Sequence, residues 1–167
     1  MRRIVWFFIC VSIAAQALFS QPRPPRPAPE FPGIALSSYR GDVVLLAFIV
    51  TTCTHCQRAS GVFQQLQNEF GSRGLRVIEV AFDEKADTAG FAKRFGLSFP
   101  VSRSPRKNVM AFLGLPADAR LGTPQVVLID RIGMIRAQSA REGSPMLQTK
   151  DVLESLIASM LRRTAIQ

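Results

Sequence analysis

Hydrophobic and polar positions along the chain fall into blocks of different period. From Val43 to Val50 every side chain is apolar, and most are β-branched or aromatic. Such a short run reads as a strand buried on both faces. Directly beyond it Ala59, Val62, Phe63, Leu66 and Phe70 recur at helical spacing. They predict a helix from about residue 53 to 70, ended by Gly71 and Gly74. Leu75 to Phe82 alternates and then runs apolar, a second strand. Asp87 or Thr88 can cap a helix carrying Phe91 and Phe95, with Gly96 as its stop. Phe99-Pro100-Val101 is a short extended piece. Ser104-Pro105 predicts an N-cap with proline at the first helical position, opening a helix to about Leu113. Pro124 to Asp130 is a third apolar strand, which Asp130-Arg131-Ile132-Gly133 turns into Met134 to Ser139 as a hairpin. Ser144-Pro145 repeats the cap signal ahead of a terminal helix faced by Leu153, Leu156, Ile157, Met160 and Leu161. Early crossovers imply parallel strands and the late hairpin antiparallel ones. The fold class is therefore α/β, a mixed central sheet with helices on both faces.

The first 32 residues follow another logic. Arg2 and Arg3 precede an apolar stretch from Ile4 to Ala15, with small residues at Ala15, Ala17 and Ser20. That is the layout of a secretory signal peptide over residues 1–20, cleaved after Ala17 or Ser20, and its apolar core is short for a membrane anchor. Residues 21–32 hold six prolines and two arginines, and are expected to be an extended spacer. The folded domain is expected over residues 33–167. The chain has 167 residues, 47% of them apolar, which suffices for one domain with a real core. Its net charge of +9 comes largely from scattered arginine, and no aromatic–basic interleaving or nucleic-acid motif accompanies it. It reads as a solvated basic surface, with weak contact to anionic membrane surfaces as its alternative use.

Three cysteines are present, Cys10, Cys53 and Cys56, and one histidine, His55. Cys10 belongs to the leader. Cys53 closes the apolar strand and opens a helix, where unpaired backbone N–H groups and the macrodipole favour an anion. A thiolate is such an anion, so Cys53 is expected to be the nucleophile. Cys56 lies one turn further along the same face and can close a disulfide with it, the hardware of dithiol–disulfide exchange. In an exported chain such a pair is more readily redox-active. A structural zinc site needs about four ligands, more than one pair and one histidine provide.

At this point the chain resembles the thioredoxin fold, and most closely the exported TlpA/ResA branch of thiol–disulfide oxidoreductases within the wider redoxin (AhpC/TSA-like) group. The residues that carry the resemblance are Tyr39-Arg40-Gly41-Asp42 with the following strand, Cys53-Thr54-His55-Cys56, Phe99-Pro100-Val101, Gly122-Thr123-Pro124, and the hairpin Val127 to Arg136. The resemblance implies a thioredoxin-like domain and a protein-disulfide oxidoreductase with Cys53 and Cys56 as catalytic pair. It implies a cis peptide at Thr123–Pro124 facing that pair, with the Thr123 backbone presented to an extended substrate. Thr54 and His55 are expected to tune the potential. A protonated imidazole near the Cys53 thiolate would stabilise the reduced form and make the pair more oxidising. Disulfide oxidants share that histidine, whereas the TlpA-like frame suggests a reductase, the preferred direction here. Partners implied are client proteins with disulfides or thiols and a redox partner protein. No cofactor and no metal is expected, and no dimerisation element is apparent, which suggests a monomer.

Three departures from the family pattern stand out. Thr52 occupies the place of a tryptophan before the first cysteine. Ala47 occupies the place, six residues before Cys53, where many thioredoxins carry a buried aspartate. Glu79 and Asp83 could replace that carboxylate only by pointing inward, and each is expected to be a surface carboxylate instead. The usual first hairpin is shortened between Phe31 and Ser38. A peroxiredoxin would need proline and threonine where this chain has Leu46 and Val50. The remaining alternative is a Cu(I) metallochaperone using Cys53, Cys56 and His55, since thiolates and imidazole suit Cu(I).

Overall fold

A computed structural model describes residues 24–162. The signal peptide expected over residues 1–20 lies outside the described residues. Six strands form one sheet in the order β1-β6-β5-β2-β3-β4. They are β1 (Arg26–Pro27), β2 (Val43–Ile49), β3 (Leu75–Ala81), β4 (Val101–Arg103), β5 (Gln125–Ile129) and β6 (Met134–Gln138). The helices are α1 (Thr54–Phe70), α2 (Thr88–Phe95), α3 (Arg106–Leu113) and α4 (Lys150–Arg162). Strand β2 runs parallel to β3 and antiparallel to β5, so the sheet is mixed, as the early crossovers and the late hairpin required.

All seven residues of β2 are buried, because helices cover both faces of its position in the sheet. Val43, Leu45, Ala47 and Ile49 turn to the face packed by α1, α2 and α4, together with Phe63, Leu66, Phe91, Leu153 and Ile157. Val44, Leu46 and Phe48 turn to the opposite face, against α3 and the segment before β2. Phe31, Phe48 and Phe112 meet there with ring centroids 5.4 to 5.7 Å apart.

Several helix boundaries differ from the capping signals. Asp87 caps α2, its carboxylate accepting from the Gly90 N–H at 2.9 Å. Pro105, however, is itself the cap residue of α3, with ψ 142°. Ser104 is buried, and its hydroxyl accepts from the Asn108 side chain at 3.0 Å. Ser144-Pro145 opens only a single 3-10 turn, Pro145–Gln148. Extended Thr149 (ψ 130°) interrupts the chain there, and α4 starts afresh at Lys150.

The proline-rich stretch also differs from the spacer expected of it. Arg26–Pro27 pairs antiparallel with Met134–Ile135 as the edge strand β1. The Ala28 N–H donates to the Gly133 carbonyl at 2.9 Å. Arg26 donates to the Phe112 carbonyl at 3.2 Å and to Gln138 Oε1 at 2.7 Å. Proline tolerates this position because an edge strand has one side with no ladder bond to make.

Candidate active site

Two elements and one loop converge where β2 runs into α1. The turn between them is fixed from several sides. The Cys53 N–H donates to the Val50 carbonyl at 3.0 Å. Asp83, just past the end of β3, accepts the Thr51 N–H at 3.1 Å and the Thr51 hydroxyl. Gln57, from the first turn of α1, donates to the Thr51 carbonyl at 2.9 Å. Asp83 therefore does not point to solvent as expected; it braces the cysteine turn.

Cys53 is the N-cap residue of α1, extended at φ −77°, ψ 119°. It is half-buried, whereas Cys56 is fully buried, and both thiols are free. Burial alone would raise the Cys53 thiol. The Thr123 hydroxyl, the N–H groups of Cys56 and His55, and the Cys56 thiol outweigh it, and the net shift is downward. Thr123 Oγ1 lies 3.5 Å from the sulfur. The helix N–H groups form no geometrically complete cap bond to Cys53; they act as oriented dipoles that favour negative charge at this end. Cys56 goes the other way. Burial, with the neighbouring Cys53 sulfur adding to it, pushes its thiol up to about 12. One pair of identical side chains is thus split into an accessible, acidified thiol and a sealed, basic one.

The Gly122-Thr123-Pro124 loop faces Cys53 from the start of β5. Its Thr123–Pro124 peptide is cis, and the Thr123 carbonyl lies 4.0 Å from the Cys53 sulfur. Gln125, fully buried, holds the loop by donating to the Gly122 carbonyl at 2.7 Å and to the Ala140 carbonyl at 3.0 Å. Thr54 and His55 are exposed on the first turn of α1. His55 reaches Cys53 through its backbone N–H, which does not match the expectation of an imidazole held against the sulfur.

Glu79 corrects the sequence reading more sharply. It is fully buried rather than on the surface. Strand register places it beside Ala47, on the face covered by α1. Ser60 Oγ lies 2.7 Å from Glu79 Oε1 and 3.0 Å from the Cys56 carbonyl oxygen. Burial pushes the Glu79 carboxyl up to about 7, against the opposing pull of the Ser60 hydroxyl. A signal for this was present. Glu79 has the same strand parity as Leu75 and Val77, so period-2 alternation turns it inward.

The match to the AhpC/TSA family model runs over residues 24–138. The chain belongs to the AhpC/TSA family. Among characterised relatives in and around this family, it is 30% identical over 102 residues to the thiol-disulfide oxidoreductase ResA of Geobacillus thermodenitrificans, covering 60% of this chain and 56% of that protein. A ResA of Bacillus thuringiensis is 28% identical over 126 residues, 74% of this chain and 66% of the relative. The chain thus spans a little over half the length of the first of these relatives. A structure from Chlorobium tepidum assigned as thiol:disulfide interchange protein DsbE superposes with a TM-score of 0.67 at 26% identity, over 86% of this chain and 99% of the other. The AhpC/TSA chain described here therefore has a thioredoxin-like fold. Among its described residues no helix is long and apolar enough to cross a membrane.

Proposed function

We propose that this protein is a thiol–disulfide oxidoreductase that reduces client disulfides outside the cytosol. The observation that carries the reading is the split pair: an acidified, accessible Cys53 at a helix N-terminus, with a sealed Cys56 one turn on. In the forward cycle the Cys53 thiolate attacks a client disulfide. The client S–S bond breaks, one client sulfur leaves with the electron pair, and Cys53 is joined to the other. Cys56 then attacks the Cys53 sulfur, the second client sulfur leaves, and a Cys53–Cys56 disulfide remains. A partner protein bearing a dithiol returns the pair to the reduced state. The loop at Thr123–Pro124 is the natural docking edge for an extended client, because the Thr123 carbonyl stands beside the reactive sulfur. Export is supported by the leader pattern of residues 1–20.

Two readings are disfavoured. Cys53, Cys56 and His55 do not converge as a ligand set; among the described residues no group of three or more such side chains could hold a metal ion. The peroxidase pattern fails at Leu46 and Val50. For the direction, His55 was the feature that favoured an oxidant, and its imidazole is exposed. The reductase direction predicts a midpoint potential for Cys53–Cys56 near that of thioredoxin, about −270 mV, when titrated against thiol buffers. A value near about −120 mV would reverse the direction, and a pair that does not titrate reversibly would overturn the function. Cys53→Ser should abolish reduction of a model disulfide protein. Cys56→Ser should instead accumulate the mixed disulfide, visible as a client adduct by mass spectrometry.

A further inference from the structure

The two ends of the sheet carry different chemistry. Cys53 lies past the C-terminal end of β2. At the opposite end three pieces of chain come together: the turn before β2, the turn before β3 and the tip of the β5–β6 hairpin. The Gly41 N–H donates to the Arg131 carbonyl at 2.9 Å, and the Val43 N–H to the Gly74 carbonyl at 2.8 Å. The Arg40 guanidinium lies over Gly133, in the space a Cβ there would fill. A Cβ on Gly74 would stand 3.8 Å from Arg131 Nη2 and 3.9 Å from Leu161, which precedes Arg162 at the end of α4.

Two cations at this end are matched. Arg76 meets Asp42 at 2.9 Å, and Arg136 meets Asp130. Arg40, Arg73, Arg131 and Arg162 have no carboxylate within ion-pair distance among the described residues. Glu30 is close enough to Arg40 to sense its charge, but its carboxylate already accepts from the Ser37 N–H at 2.9 Å. Arg73 rests over the Phe70 ring at 4.8 Å and is otherwise exposed. Arg131 is half-buried, and its Nε is sealed with no partner. Beside Arg131, at the hairpin tip, Ile132 is 57% exposed. The turn holds it outward: Asp130 Oδ1 accepts the N–H groups of Ile132 and Met134 at 3.1 and 2.9 Å, and Gly133 takes φ 77°. A lone exposed isoleucine is ordinary. One fixed outward among unpaired arginines is the pattern of a face that meets an anionic and partly apolar surface.

We propose that this end of the domain seats on an anionic phospholipid surface, with Arg40, Arg73 and Arg131 on lipid phosphates and Ile132 in the headgroup layer. Guanidinium groups offer paired N–H donors that match phosphate oxygens. A bilayer supplies negative charge with an apolar layer just beneath it, and so serves both the arginines and the isoleucine; a nucleic-acid backbone serves the arginines alone. The seat also suits the rest of the molecule. The seven residues of β2, at about 3.3 Å each, set Cys53 about 20 Å or more above the contact. That exceeds the screening length of about 8 Å at physiological salt. Cys53 and the Gly122-Thr123-Pro124 loop therefore face away from the lipid, open to solution, and the thiol does not sense the lipid charge.

The test is co-sedimentation of the full chain with vesicles of phosphatidylcholine alone and with about one-third phosphatidylglycerol. We expect binding that depends on phosphatidylglycerol and fades as salt is raised. The double variant Arg40→Gln with Arg73→Gln should weaken it by about twenty-fold, five-fold for each cation. Ile132→Ser should weaken it by about five-fold and leave its salt dependence in place. Lys107→Gln with Arg120→Gln removes as much exposed charge elsewhere on the molecule, and should stay within about two-fold of wild type. Equal binding to both kinds of vesicle, or equal loss in the two double variants, overturns the proposal. Should residues 1–23 hold every variant on every vesicle, hydrogen exchange in residues 130–133 is read instead. Slower exchange on the anionic vesicles alone supports the seat, and unchanged exchange overturns it.

Discussion

At the scale of single residues, the site is a set of three acid–base groups moved away from their ordinary behaviour by position. Burial would raise Cys53, but the Thr123 hydroxyl and the donors at the helix start bring it down; Cys56 is raised by burial, and Glu79 is raised by burial to about 7. The last has an energetic signature separate from any catalysis. Between pH 4.5 and about 7 the folded protein retains a proton on Glu79 that the unfolded chain has released. Folding stability should therefore fall as pH rises across that window, by about 3 kcal/mol in total for this one group. Denaturant unfolding of wild type and Glu79→Gln at pH 4.5, 6 and 7.5 checks it; the variant should lack this component, and parallel curves would refute it. The cysteine pair was legible because a thiol at the junction of an apolar strand and a helical pattern meets the unpaired backbone N–H groups that stabilise its anion. Glu79 was legible only in half. Its parity with Leu75 and Val77 pointed inward, but an unpaired buried carboxylate is unfavourable enough that a surface position was the better expectation. What overrode it was strand register, which sets Glu79 beside small Ala47 and under Ser60, a pairing no local pattern reveals.

At the scale of elements, the loop that faces Cys53 depends on a glycine with no room for a side chain. A Cβ on Gly122 would overlap the Glu142 carbonyl group and stand 2.9 Å from the Gly143 nitrogen. All of these are backbone atoms, so the Gly122-Thr123-Pro124 loop would have to move instead. Gly122→Ala should destabilise the protein by about 1–3 kcal/mol, as overpacking does. It should also draw the Thr123 hydroxyl off Cys53, slowing alkylation of Cys53 at pH 6 to 7; an unaltered alkylation profile would show that Thr123 does not sustain the thiolate. Strands β2, β3 and β5 were readable from apolar runs, and α1 and α2 from period and glycine stops. The starts of α3 and α4 were misread for a common reason. Ser-Pro satisfies the preference for a cap followed by proline, but whether the chain continues into an α-helix is decided by what lies below it. At Ser104 that is a buried hydroxyl bonded to Asn108, and at Pro145 a single turn that Thr149 ends.

At the scale of the whole molecule, composition misjudged the proline-rich segment. Extended backbone is what prolines specify, and extended backbone serves equally as a spacer or as a strand. The choice was made by a partner elsewhere in sequence, the free edge of β6 and the acceptors on Phe112 and Gln138 that take Arg26. Arg26→Ala should therefore destabilise the domain by about 1–2 kcal/mol and lower its melting temperature by several degrees; calorimetry of the two proteins checks it, and no change would make β1 incidental. The same arrangement bears on aggregation. One border of the sheet is a two-residue strand that includes Pro27, and the other is the three-residue β4 ending in exposed Arg103. Neither presents a row of unpaired backbone groups long enough to template another chain. Under the proposed function, a protein that handles extended client segments would run a standing risk of capturing its own copies edge to edge. Here both borders are blunted, and the Thr123 carbonyl stands beside Cys53 on the central strand side instead, so that under the proposed function self-association and client capture would not compete for the same backbone.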